Sequence, residues 1–201
     1  MIKKTTLALL LLLLATAPVF AQQHYRLDVK KSKLLWKVAT IGNHNGYLLF
    51  NDGRMDVTDK GEPITGYFTM DMKSIRSQDG STAADRAKVD KEITTPGFFD
   101  TEAYPTATME VKQITPTGNA GVYRIKGNLT IKGISNPVEL SATIGKNGDT
   151  ITAKADAGID RSKWRIDFHE EKKGWDPVAT LKDNLISNDI AVTLDLTFTK
   201  Q

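Results

Sequence analysis

Ile190-Ala-Val-Thr-Leu-Asp-Leu-Thr-Phe198-Thr199, close to the end of the chain, is the stretch that decides the fold. Ile190, Val192, Leu194, Leu196 and Phe198 recur at every second position, with Thr193, Asp195, Thr197 and Thr199 between them. Side chains that alternate in this way belong to a strand with one face buried and one face in water. Residues 122–131 repeat the pattern, with Tyr123, Ile125, Leu129 and Ile131 opposed to Arg124, Lys126, Asn128 and Thr130. So do residues 138–144, with Val138, Leu140, Ala142 and Ile144 opposed to Glu139, Ser141 and Thr143. Less regular runs at 25–29, 34–41, 47–57, 64–72, 106–114 and 151–160 predict further strands.

Asp52-Gly53, Lys60-Gly61, Gly118-Asn119 and Asn147-Gly148 read as hairpin turns between these runs, which makes the pairing antiparallel. One stretch departs from the period. Ser81 to Ile93 reads STAADRAKVDKEI, rich in helix formers, with Ser81 or Thr82 available as an N-cap and Pro96-Gly97 as a stop. It predicts a helix of about three turns. A shorter helical or turn segment is expected near Pro177–Leu185.

Eight or so antiparallel strands must dispose of two sheet edges, and closure into a barrel removes both. Ala153, Ala155 and Ala157 share one face of a strand, and Gly66 lies on another. Such small inward residues leave room, and about eight strands can enclose one small ligand. A two-sheet sandwich in which the alanines face bulky neighbours stays open as the alternative. The predicted fold is therefore mostly β, an antiparallel barrel of about eight strands with one short α-helix around 81–93.

The N-terminus has the layout of an export signal. Lys3 and Lys4 precede an apolar run from Leu7 to Ala15, and Pro18 and Val19-Phe20-Ala21 follow it. The run is shorter than the roughly 20 residues that cross a bilayer. Residues 1–21 are thus expected to be a signal peptide cleaved after Ala21, and 22–201 a single domain, periplasmic or secreted, without a transmembrane segment. There is no cysteine, so disulfides and a lipid-modified N-terminus are excluded. A domain of this length needs no such staples, since it can bury about 70 % of its unfolded surface. The net charge is +3, and two of the positive charges are Lys3 and Lys4. A near-neutral domain with no basic run offers nucleic acid no electrostatic footing.

Catalytic patterns are sparse. There is no G-x-S-x-G, phosphate loop or dinucleotide fingerprint. His169 opens H-E-E-K-K, with Lys173 where a zinc-protease helix needs its second histidine. His24 reads as solvated, and His44, in Gly42-Asn-His-Asn-Gly46, either meets a polar ligand head or bonds its own neighbours. Asp167, Glu170 and Glu171 sit among Arg161, Lys163, Arg165, Lys172 and Lys173, as in a charge-balanced loop. Trp36 falls on an early strand; Trp164 and Trp175 fall in loops, where they guard an entrance or pack over a barrel end. The enzyme-class alternative is a small periplasmic hydrolase with His44 or His169 as base in a pocket at the barrel mouth.

Six segments, in order, carry a family resemblance. They are Tyr25-Arg-Leu-Asp28 with Lys31-Ser-Lys-Leu-Leu-Trp36; His44-Asn-Gly46; Gly66-Tyr-Phe-Thr-Met-Asp-Met-Lys-Ser-Ile75; Phe98-Phe-Asp100 with Tyr104-Pro-Thr-Ala-Thr108; Gly127-Asn-Leu-Thr-Ile-Lys-Gly-Ile-Ser-Asn-Pro-Val138; and Ile159-Asp-Arg-Ser162. Together they span essentially all of 22–201 and resemble the YceI-like family of bacterial periplasmic proteins. The resemblance implies a lipocalin-like barrel with a helix at one end. It also implies a long hydrophobic pore that holds a polyisoprenoid or similar amphiphile, such as a prenyl quinone, without catalysis and without a cofactor other than the bound lipid. Many members carry H-L-x-S before F-F-D; here Glu92-Ile-Thr-Thr95 stands in its place, so no role passes to that histidine.

Alternation nominates the pore lining: Trp36, Val38, Phe68, Met70, Tyr123, Ile125, Leu129, Leu140, Ala142, Ala153, Ala155, Leu194 and Leu196. Met70 and Met72 add lining that conforms to irregular ligands. His44, Arg76 and Arg161 are expected at the head group. A tail would gain about 0.8 kcal/mol per buried CH₂, enough over tens of carbons to offset the entropy of threading. The expected partner is a long-chain lipid, and a homodimer is left open.

Overall fold

The computed structural model describes residues 22–39, 44–80, 82–166 and 187–201. The proposed signal peptide, the segment near Pro177–Leu185, His169, Trp175 and the acidic cluster of Asp167, Glu170 and Glu171 lie outside them.

In chain order the elements are β1 (Gln23–Leu27), β2 (Lys33–Val38), β3 (His44–Val57), β4 (Pro63–Ser77), α1 (Ala83–Ile93), β5 (Thr106–Pro116), β6 (Val122–Ile131), β7 (Ile134–Asn147), β8 (Thr150–Asp160), a 3₁₀ turn (Arg161–Trp164) and β9 (Asp189–Lys200). All strand pairs are antiparallel, and β3 pairs with β4 to close the sheet on itself. The result is a closed antiparallel eight-stranded barrel. β1 and β2 share one place in it, because each lies between β3 and β9. Closure leaves no edge to template aggregation, and it decides against the sandwich.

The break between β1 and β2 is mended by one backbone and one side-chain hydrogen bond. Asp28 N donates to Thr197 O at 2.8 Å, and Thr197 N donates to the Oγ of buried Ser32 at 3.0 Å. Both backbone groups of Thr197 would otherwise face a gap in the ladder.

Two irregularities correct the turn and face assignments. Asp52-Gly53 is not a turn: it lies inside β3, where the register shifts between Phe50 and Asp52. Gly53 is needed there because a Cβ would press on Leu27 and Phe68 at 3.0 Å. The second bulge is larger. Tyr47 pairs with Arg76 and Leu49 with Asp71, so β4 carries extra residues opposite β3. Ser74 Oγ fills this gap by accepting from Leu49 N at 2.9 Å and donating to Asp71 O at 2.6 Å. Before the bulge Gly66, Phe68, Met70 and Met72 are buried; after it Ile75 and Ser77 are. Inside and outside exchange at that point.

The helix forms where expected. Thr82 is its N-cap, with Oγ1 accepting from Asp85 N at 3.1 Å and donating to Asp85 Oδ2 at 2.7 Å. It packs on β4 and closes over one end of the barrel through Val89 and Ile93, one turn apart on a single stripe. Phe98 and Phe99, in the loop that follows, join them at the core. Lys132, in the tight turn between β6 and β7, ties this loop to the 3₁₀ turn by donating to Pro96 O and Arg165 O, both at 2.9 Å. The opposite end carries the β3–β4, β5–β6 and β7–β8 hairpins.

Candidate functional site

The barrel encloses an apolar cavity of about 260 Å³ that reaches the helix end. For comparison, a dry apolar cavity of about 150 Å³ already takes up benzene. On β8 its wall runs from Ala153 to Ile159, about 20 Å of strand. Ala142, Ala153, Ala155 and Ala157 make one wall, with Ala142 directly opposite Ala155. Leu194 and Leu196 stand beside Ala155 and Ala153 in register. The facing wall is bulkier and softer: Phe50, Phe68, Met55, Met70, Met72 and Met109. Met55, Met70, Met72 and Met109 are all the methionines of the chain apart from Met1. Unbranched thioether chains refill space around whatever enters.

Of the residues that alternation nominates, Trp36, Val38, Phe68, Met70, Ile125, Leu129, Leu140, Ala142, Ala153, Ala155, Leu194 and Leu196 line this cavity. Tyr123 does not. It faces inward like Ile125 but lies past the end of the cavity, opposite Pro116 at the hairpin end. The cavity also takes Val89, Glu92, Ile93, Phe98 and Phe99 from the helix and its following loop. A period-two rule could not nominate these, although the Phe98-Phe99 pair was visible as a motif.

Polar side chains are few in the lining. Among the described residues they are Thr65 and, from segments at the helix end, His44, Glu92 and Arg161. His44 starts β3, and its Nδ1 lies 2.7 Å from Asp79 Oδ2. Asp79 Oδ1 accepts from Asn45 N at 3.0 Å and Asn45 Nδ2 at 3.1 Å. Arg161 is buried, with Nη1 donating to Ile166 O at 2.8 Å and Nε to Ser187 O at 3.3 Å. Its neighbour Asp160 caps the 3₁₀ turn: the Ser162 hydroxyl hydrogen bond, aided by Ser162 N, holds that carboxyl below the ordinary aspartate value.

Arg76, the third residue expected at a head group, is not at the cavity. The β4 bulge turns it outward, where it donates to Lys73 O and Ile75 O and stands 3.9 Å from Asp90. It lines a separate polar groove between β4 and the helix. Trp164, from a loop, is buried and donates its Nε1 to Leu129 O at 3.1 Å, packing over the barrel end rather than guarding an opening. Trp36 lines the cavity, and its indole carbon Cε2 would stand 2.6 Å from a Cβ on Gly46, so the glycine of His44-Asn-Gly46 makes room for that ring.

Below the cavity the barrel is solid. Tyr25, Val57, Ile151 and Phe198 have essentially no exposure, and none of them lines the cavity. Phe68 joins the two regions: it lines the cavity and meets Phe198 edge-on at 6.0 Å.

Comparison with known proteins agrees with this architecture. The UPF0312 protein of Pseudomonas putida strain W619 is 28% identical over 153 residues, covering 74% of this chain and 76% of that protein. The UPF0312 protein of Pseudomonas aeruginosa strain LESB58 is 27% identical over 172 residues, 81% of this chain and 83% of its own. Among solved structures, BcnA of Burkholderia cenocepacia superposes with a TM-score of 0.66 at 21% identity, over 85% of this chain and 98% of BcnA. A polyisoprenoid binding domain from Saccharophagus degradans superposes with a TM-score of 0.62 at 14% identity, over 88% and 98%. The model of the YceI-like domain matches residues 25–198, and with that match, in a closed barrel that carries the six motifs in order, the chain belongs to the YceI-like family.

Proposed function

We propose that this protein is a non-catalytic carrier that holds a polyisoprenoid or similar long-chain amphiphile in its barrel, working in the periplasm after removal of residues 1–21. The observation that carries the reading is the barrel cavity of about 260 Å³, which among the described residues is apolar along its walls and polar only at Thr65 and at the helix end. An apolar tail inside it is held by burial alone and needs no directed contact. The solid floor gives the tail one direction of entry, so the head stays at the helix end. The binding named for the Saccharophagus degradans domain of the same fold supports the choice of ligand class. Asp79 could orient His44 as a base, but among the described residues no side-chain hydroxyl is hydrogen-bonded to His44 as a nucleophile, which favours binding over hydrolysis.

Native mass spectrometry of protein purified from its own host is the test. We expect a polypeptide beginning at Gln22 that carries an isoprenoid-type lipid. Protein that is lipid-free and takes up no prenyl quinone would overturn the proposal.

A further inference from the structure

We propose that Gln22-Gln23-His24, the N-terminus of the processed chain, is a square-planar Cu(II) site built from the Gln22 α-amine, the backbone nitrogens of Gln23 and His24, and His24 Nδ1. The inference rests on the proposed removal of residues 1–21, which frees that amine. It goes beyond the carrier reading, because none of these residues lines the cavity.

The spacing makes the site. A histidine in the third position of a chain lets the amine, two backbone nitrogens and Nδ1 close three fused five- and six-membered chelate rings in one plane. Four nitrogens in a plane suit Cu(II) and Ni(II), with Cu(II) the tighter, and do not suit tetrahedral zinc. Gln23 is not proline, so its nitrogen has a hydrogen to lose. Coordination expels one proton from each backbone amide to water, with any proton the amine carries, and nothing is oxidised or reduced.

The arm is accessible, and what it must give up is small. Gln22 precedes β1 and is exposed, and the His24 side chain is 60% exposed. Gln23 and His24 form the first rungs of β1, opposite Val57 and Asp56. Gln23 Oε1 accepts from Lys146 Nζ at 3.3 Å, and His24 Nδ1 stands 2.8 Å from Asp56 Oδ1. Exposed contacts of this kind are weak, and chain ends fray first. Fraying stops at the next residue, because Tyr25 is completely buried in the floor. Three residues can therefore turn to the metal without disturbing the core, and Asp56 leaves a negative charge beside the cation.

Exported protein, stripped with EDTA and shown by intact mass to begin at Gln22, is titrated with Cu(II). We expect a single equivalent to be taken up with the visible d–d band of a four-nitrogen square plane. His24→Ala loses the band. So does Gln23→Pro, which keeps His24 but removes an in-plane nitrogen, at the first residue of a strand, where proline is tolerated. A chain that keeps Ala21 as its first residue moves His24 to fourth place and loses the band too. Protein beginning at Gln22 without the band, or a band that survives any of these three changes, overturns the inference and leaves the carrier reading standing. So does a Gln22 found cyclised and lighter by one ammonia, since its amine is gone. An exported chain that begins at another residue overturns both the inference and the processing it rests on. The unsubstituted protein decides the matter even if a variant fails to fold.

Discussion

Along the inward face of β8 the residues run Ile151, Ala153, Ala155, Ala157, Ile159. At the hairpin end Ile151 lies opposite Phe198 and both are completely buried, in a floor shared with Tyr25 and Val57. Two residues further along the same strand the side chains shrink to methyl groups, and the wall fronts a cavity. One sheet with one hydrogen-bond pattern thus builds a close-packed plug and a hollow. The difference lies only in side-chain volume at positions of equal parity. Packing to crystal-like density is the default of protein interiors, so a hollow of this size marks where stability has been left out of the core.

The largest effect should come from breaking the plug. Phe198→Ala should cost about 3–5 kcal/mol, because a rigid site cannot collapse around the missing ring. Guanidinium unfolding measures it; a cost below about 1 kcal/mol would mean the floor is as hollow as the rest. Filling the hollow should do the reverse. Ala155→Phe should weaken uptake of a prenyl alcohol more than tenfold while moving stability by no more than about 1.5 kcal/mol, since the ring enters existing space. If that variant loses as much stability as Phe198→Ala, the two regions do not differ.

Two smaller changes sharpen the comparison within the plug side. Ser32→Ala removes the acceptor for Thr197 N where β1 and β2 break, and should cost about 1–3 kcal/mol for the orphaned donor. Protection of the Thr197 amide from hydrogen exchange should fall with it. Tyr25 shows the opposite case: its hydroxyl is buried with no hydrogen-bond partner among the described residues, while Lys146 Nζ lies 5.7 Å from the ring centroid. Tyr25→Phe keeps the ring and removes this group, so the free energy of unfolding should stay or rise by up to about 1 kcal/mol. A loss of more than about 1 kcal/mol would mean that the Tyr25 hydroxyl is hydrogen-bonded after all.

Much of this was legible in the chain. Alternation at 122–131, 151–160 and 190–198 named the strands and faces, and small residues at Ala153, Ala155 and Ala157 pointed to room inside. Tyr123 shows the limit of parity, which assigns a face but not a depth along the barrel. Arg76 shows a sharper limit. It shares parity with Met70 and Met72, yet the bulge after Asp71 reverses the faces. Nothing local in Asp71-Met-Lys-Ser-Ile75 announces it, because the gap is filled by Ser74 bonding to a different strand. Asp52-Gly53 misled for a related reason: a glycine suited to a turn is equally suited to a strand pressed against Leu27 and Phe68.

By itself the sequence determined what depends on neighbours along the chain: which residues are strand, where the helix is capped, and which positions share a face, because pleat and helical turn impose their own periods. Closure of the sheet, the floor beneath the cavity, the eversion of Arg76 and the pairing of His44 with Asp79, 35 positions away, were decided only by tertiary structure. Each of these depends on which strands meet and in what register, and those contacts carry no short-range mark.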